Sequence, residues 1–192
     1  MANIRRATVA DAKAIGRLHV AAWRETYVEL FPKAALDSLD PAEKAESWRE
    51  TIRDLDGQPP GAAFLLCDDA GEAMGFSACG LQRVERLAAL GFEGDFIALY
   101  LLRRTQRRGH GRAMIGAMAS HLSGQGVCAA TAWVFRDNLG ACRFYEALGG
   151  KRTGIEGDWT VLGSTLPDLS YGWRDLRTLT SAASSELGAE DQ

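Results

Sequence analysis

Histidine and cysteine are scarce in this chain, with three histidines and four cysteines in 192 residues. The cysteines, Cys67, Cys79, Cys128 and Cys142, have no CxxC spacing, and each stands in or beside an apolar stretch. That pattern supplies neither a zinc site nor a disulfide framework; it reads as reduced core thiols of a cytoplasmic protein. A dominant charge is lacking too. With 22 basic and 25 acidic residues, the net charge of -3 exerts no overall pull on nucleic acid or anionic lipid, so any basic site has to be local. No uncharged apolar run approaches the ~18 residues of a membrane span. The opening MANIRRATVADAKAI is broken by charge too early to hold a signal-peptide core. These absences lead to the expectation of a soluble cytoplasmic protein with no membrane partner. The length suits one domain, expected over residues 1–176, followed by a polar, disordered tail over 177–192.

The patterning supplies the elements. IRRAT reads as a short strand with Ile4 inward, and Thr8 or Asp11 offers an N-cap for a long helix carrying Ile15, Leu18 and Ala22. Trp23 and Tyr27, four apart, share a face of its continuation before Pro32 breaks it. A second helix fits PAEKAESWRETI, with Asp40 as cap and Pro41 in the first turn. Two strands joined through DDAG follow as a hairpin, and GDFIALYLL is the most strand-like segment of the chain. It leads into RRTQRRGHG and a helix with Met114, Ile115, Met118 and Leu122 on one face. A second strand-loop-helix unit runs VCAATAWVF, RDN, LGACRFYEAL and stops at Gly149 and Gly150. Strands near KRTGIE and LSYGW close the layout, which is mixed α+β.

The run RRTQRRGHGR concentrates five arginines in a chain of the opposite net charge. A strand ending in a glycine loop that opens a helix suits anion binding, because the first helical N–H groups are unpaired and lie at the positive end of the dipole. Gly109 and Gly111 let a phosphate approach the backbone, and Arg107, Arg108 and Arg112 add charge there. Two common phosphate motifs do not fit. The dinucleotide fingerprint needs Gly or Ala where Met114 stands, and the P-loop needs Lys after Gly116, where Ala117 stands. Nucleic-acid readout calls for aromatics among the basic residues, and 103–112 contain none. Taken alone, the loop reads equally as a turn with solvated arginines.

QRRGHG resembles the Gln/Arg-x-x-Gly-x-Gly/Ala signature of the GNAT superfamily of acyl-CoA-dependent N-acyltransferases, which recognises the pyrophosphate of coenzyme A. NLGACRFYEALGG, some thirty residues on, resembles the superfamily's second signature at Asn138, Ala141, Phe144, Tyr145, Glu146, Leu148 and Gly149. IRRATVADAKAIGRLHVAAW is similar to its opening strand and helix, so the resemblance spans about residues 3–176. It implies an α+β fold with a mixed, mostly antiparallel sheet of about six to seven strands, splayed parallel central strands and about four flanking helices. It also implies acetyl-CoA as co-substrate without metal, and it is compatible with a homodimer.

The resemblance further implies site roles. The pantetheine arm would lie between the splayed strands, bonded by backbone near Leu101 and Arg103. Arg107, Arg108, Gly109, His110, Gly111 and Arg112 would hold the pyrophosphate, with the backbone of His110 engaged and its side chain turned outward. Arg103 and Arg104 are left for the outer phosphate or for solvent. Asn138 and Ala141 would join the cofactor site, Asn138 also capping its helix. Tyr145 matches the tyrosine near the CoA sulfur and is the expected general acid. Asp95 is the expected base, directly or through a water, with Glu93 on the same strand parity if the strand reaches back that far. GFEGD also reads as a solvated loop, and a water chain without a dedicated base remains an alternative. Trp23, Tyr27 and Trp133 are candidate acceptor residues, joined by Phe135 and Trp159 as aromatic surface for an amine. His19 and His121 fit helix faces as packing or surface residues.

The expected function is transfer of acetyl to a primary amine of a small molecule. A peptide N-terminal acetyltransferase and a non-catalytic acyl-CoA sensor are the alternatives, and nucleic acid is not expected as a partner.

Overall fold

The computed structural model describes residues 2–184. Its strands are β1 (Asn3–Arg6), β2 (Ala62–Cys67), β3 (Ala73–Leu81), β4 (Gly94–Leu101), β5 (Ala130–Phe135), β6 (Lys151–Val161) and β7 (Ser164–Trp173). The α-helices are α1 (Ala12–Thr26), α2 (Lys33–Asp37), α3 (Pro41–Gly57), α4 (Glu85–Ala89), α5 (His110–Gly124), α6 (Leu139–Ala147) and α7 (Arg177–Ser184). The strands make one sheet in the order β1-β2-β3-β4-β5-β7-β6, and every pairing is antiparallel except β4 with β5. The expected mixed, mostly antiparallel sheet with a parallel central pair is therefore present.

The helix starts follow the capping chemistry of the sequence. Asp40 accepts the Ala42 N–H at 2.8 Å with Pro41 beside it, and Asn138 accepts the Ala141 N–H at 3.2 Å. At the first helix the work is shared: the Asp11 carboxylate accepts from the Thr8 N–H and hydroxyl, closing a capping box. The β6–β7 hairpin turns through Leu162 and Gly163 at φ 52° and 72°, the left-handed pair of a two-residue turn.

The sheet separates two cores. On one face α5, α6 and α7 pack over Phe96, Ala130, Ala132 and Val134. On the other, α1 and α3 cover Leu65, Phe76 and Ala78, the end of α1 meets Phe135, and α4 closes over Trp133. Strand β4 does not alternate cleanly between them. Its register with β3 shifts between Ala78 and Cys79, leaving Ile97 as the extra residue. Phe96 accordingly joins the α5 face while Ile97 and Ala98 both join the α1 face.

Several expectations need correcting. Cys67, Cys79 and Cys142 are buried, whereas Cys128 is exposed on the approach to β5. The strand does not reach Glu93, which is exposed and accepts the Cys128 N–H at 3.3 Å. Residues 177–184 of the expected tail form α7, because Leu176 and Leu179 bury among the α5 side chains; residues 185–192 lie outside the described residues. The one-turn helices α2 and α4 have no counterpart in the sequence reading.

Candidate active site

Parallel pairing of β4 with β5 runs only from Gly94–Ala130 to Phe96–Ala132. Beyond it the strands part, and a cleft of about 1330 Å³ opens between Ile97–Leu101 on one side and Trp133–Phe135 on the other. That exceeds the roughly 300–1,000 Å³ of an ordinary small-molecule site. There is room for two reactants end to end.

One end of the cleft is basic. Gln106, Arg107, Gly109, Gly111, Arg112 and Arg143 line it. Gly109 sits at the N-cap of α5 with φ 78°, and Arg107 is also left-handed at φ 62°. A non-glycine residue there is strained by about 1–2 kcal/mol. Side-chain ties hold the turn: Thr105 Oγ1 donates to the Leu102 carbonyl at 2.7 Å and Gln106 Nε2 to the Leu101 carbonyl at 3.0 Å. The α5 ladder begins with the Ala113 N–H on the Gly109 carbonyl, so the earlier N–H groups of the turn are left for an anion.

The middle is formed by β4, β5 and α6, with Leu101, Asn138, Ala141, Phe144 and Tyr145 on its wall. Tyr145 is buried against Tyr171 and Trp173, with ring centroids at 5.9 and 5.6 Å. Burial, then the nearby Tyr100 and Asp95, push its hydroxyl well above the ordinary phenol range, so it keeps its proton at neutral pH. Tyr27 is pushed the same way by burial and Tyr100, with the nearby Asn138 side chain acting in the opposite sense.

The far end carries acids and aromatics. Asp95 is 3% exposed; its Oδ2 accepts from Arg83 at 3.1 Å, while its Oδ1 is buried without a partner. Burial raises its pKa, and the Arg83 guanidinium offsets this only in part. Alternation with Phe96 turns Asp95 to the α1 face, opposite to the face from which Tyr145 approaches. The same cleft is thus lined by a buried carboxyl group and by a phenol that keeps its proton, groups of the kind that can remove and deliver a proton. Trp133, Phe135, Trp159, Gly157, Asp158 and Asp168 complete this end.

Among the residues marked in the sequence, Asp95, Leu101, Arg107, Gly109, Gly111, Arg112, Asn138, Ala141, Tyr145, Tyr27 and Trp133 line the cleft together. Phe135 and Trp159 join them, whereas Trp23, Arg103, Arg108 and His110 do not. Trp23 is 2% exposed and enclosed by His19, Tyr27, Phe31 and Trp159, a core ring behind the wall. The Arg103 N–H is donated to Glu25 Oε2 at 2.6 Å and its guanidinium to the Glu25 carbonyl at 2.7 Å, which ties it to the end of α1. Arg108 is exposed outside the cleft. The His110 ring turns back to the Thr105 carbonyl at 3.1 Å instead of pointing out. Arg83, Arg143 and Asp168 were missed. Arg83 follows a strand and Arg143 rides an exposed helix face, so neither has a local signal. Asp168 had one, a lone acid flanked by Leu166, Pro167 and Leu169 inside a strand.

Known proteins resemble the chain in sequence and in fold. Residues 20–150 match the model of the acetyltransferase (GNAT) family. An uncharacterized N-acetyltransferase, YuaI of Bacillus subtilis, is 34% identical over 179 residues, covering 93% of this chain and 96% of the relative. Among solved structures, the PaiA N-acetyltransferase of Thermoplasma acidophilum in complex with coenzyme A superposes with TM-score 0.70 at 16% identity, over 90% of this chain and 99% of that one. A ribosomal-protein-alanine N-acetyltransferase from Brucella melitensis superposes with TM-score 0.65 at 19% identity, over 90% and 99%.

Proposed function

The chain belongs to the acetyltransferase (GNAT) family, and from that premise we propose that it moves the acetyl group of acetyl-CoA directly onto a primary amine of a small molecule. The observation that carries the reading is that one cleft is lined both by buried Asp95, with one carboxylate oxygen free, and by Tyr145, whose phenol keeps its proton.

The cleft fits the cofactor. Its basic end offers arginines and helical N–H groups to a diphosphate, and the gap between β4 and β5 leaves strand edges for an extended arm. Acetyl-CoA supplies an activated thioester. Arg107 and Arg112, with the α5 turn, hold its phosphates; backbone N–H groups of β4 orient the arm and polarise the carbonyl. Asp95 takes the proton of the incoming ammonium through its free Oδ1, leaving the neutral amine to form the new C–N bond as the C–S bond breaks. Tyr145 gives its hydroxyl proton to the departing sulfur and regains one from the second proton that the acetylated nitrogen sheds, so the amide and the free thiol leave with only Asp95 protonated. Arg83 holds Asp95 by Oδ2 and keeps Oδ1 aimed at the acceptor. The aromatic rings Trp133 and Trp159 at the far end suit a compact amine.

Free-thiol release from acetyl-CoA, followed with a panel of small primary amines and a panel of short peptides, tests the reading. Turnover with small amines is expected. Turnover confined to peptides, or none at all, would overturn it.

A further inference from the structure

We propose that Asp168 is a specificity-determining residue of the acceptor end, and that the acceptor is an extended amine bearing a second protonated or hydrogen-bond-donating group at the far end of its chain. This rests on the acyl-transfer reading above and names its substrate class.

The register places the two carboxylates. Asp95 stands opposite Thr131 on β5 and Asp168 opposite Phe135, so they share a sheet face with Thr131, Trp133 and Phe135. Four residues of strand separate the two levels, about 13 Å at roughly 3.3 Å per residue. Trp133, half-buried on the same face, lies between them.

Each carboxylate has one unmet oxygen. Asp168 Oδ1, like Asp95 Oδ1, is buried without a partner. The space it occupies exists because the residue facing it across the β6–β7 pair is Gly157: a Cβ there would stand 2.8 Å from Asp168 Oδ1 and 3.6 Å from the Trp133 ring. Burial, then the charge of Asp158, raise the Asp168 pKa, and the backbone N–H groups of Asp168 and Gly157 offset this only in part. The nearby cations are engaged elsewhere. Arg136 pairs with Glu156 at 2.9 Å, Arg86 donates to the Glu156 carbonyl at 3.3 Å, and Arg83 holds Asp95.

A buried acceptor atom without a donor is costly, and a ligand that brings the donor recovers that cost as affinity. A simple monoamine satisfies Asp95 and leaves Asp168 unmet. An amine with an apolar chain across the Trp133 indole and a donor at its other end satisfies both.

The test measures initial rates of thiol release with straight-chain primary monoamines and α,ω-diamines of matched length, for the wild type, Asp168→Asn and Gly157→Ala. The wild type is expected to favour the diamines, increasingly as the chain lengthens toward the span between the carboxylates. Asp168→Asn should lower the diamine-to-monoamine ratio of kcat/KM about tenfold, the loss of ~1.4 kcal/mol of charge-assisted bonding. Gly157→Ala, whose methyl crowds Oδ1, should lower the same ratio, and retained thermal stabilisation by acetyl-CoA shows that each variant is folded. A ratio unchanged in both variants, or no diamine preference in the wild type, overturns the role of Asp168 while the acyl-transfer reading stands. Thiol release absent with every amine defeats that reading, and this inference with it.

Discussion

Asp95 and His19 are both buried titratable groups, and folding pushes their pKa values in opposite senses with opposite consequences for stability. The Asp95 pKa is raised, chiefly by burial. A carboxyl raised by folding contributes stability that is present below its unfolded pKa and lost as pH rises through the folded one. At neutral pH the Asp95 carboxyl therefore opposes the fold, because the unfolded chain ionises it more readily than the folded one does. Asp95→Asn is expected to raise the melting temperature at pH 7, with the gain fading in acid, while lowering kcat about 10²–10³-fold as the base is lost. Thermal denaturation at two pH values and rates at saturating amine measure both effects; an unchanged kcat would remove the base assignment. Tyr145→Phe should likewise lower kcat about 10²-fold or more while sparing acetyl-CoA affinity. His19 is lowered from 6.5 to about 3 by burial and then by Lys44, its Nδ1 accepting from Trp48 Nε1 at 2.8 Å. A base lowered by folding contributes stability that is lost as pH falls below the unfolded pKa, because the unfolded chain takes a proton that the fold refuses. Across that window the loss from His19 approaches ~1.4 kcal/mol per pH unit. His19→Gln, which keeps an acceptor for Trp48, should flatten the wild-type decline between about pH 6 and 4. Asp11, lowered to about 2, acts at lower pH and does not confuse the comparison.

The elements that were legible in the sequence are those that carry their own start or stop signals. Asp40-Pro41 opens α3, Asn138 opens α6, and the glycines of QRRGHG mark where β4 gives way to α5. The elements that were not legible depend on distant partners. Helices α2 and α4 have five residues each, too few to hold themselves; they persist because Leu36 and Leu87 bury against other elements. Arg83 meets Asp95 only when β3 and β4 pair, and Asp168 meets Gly157 only across β6 and β7. Periodicity also could not tell a core ring from a wall ring, so Trp23 and Tyr27 looked alike although only Tyr27 reaches the cleft. At this scale Asn138 is the most informative position, because its side chain caps α6 and also interacts with Tyr27. Asn138→Ala should cost about 1 kcal/mol in urea denaturation, and Asn138→Asp, which can still cap, much less. Equal losses in the two variants would show that the amide holds Tyr27 more than it caps the helix.

The whole molecule is a sheet divided at its centre. Strands β1 to β4 and strands β5 to β7 are joined through the sheet by three residue pairs, Gly94–Ala130, Asp95–Thr131 and Phe96–Ala132, and the cleft begins where those pairs end. The bulge at Ile97 lies one residue past the last pair, so the point where β4 changes its facing is also the point where it leaves β5. A cofactor arm lying in that gap would meet both strand edges and bind the two halves together. Acetyl-CoA at a hundred times its Kd should then stabilise the protein by about 2.7 kcal/mol. The accompanying hydrogen-exchange protection should fall on the amides of Ile97–Leu101 and Trp133–Phe135, while the β1–β2 edge exchanges as before. A rise in melting temperature without protection at the gap would mean that the cofactor binds elsewhere, since only a ligand between the parted strands can slow exchange on both edges at once.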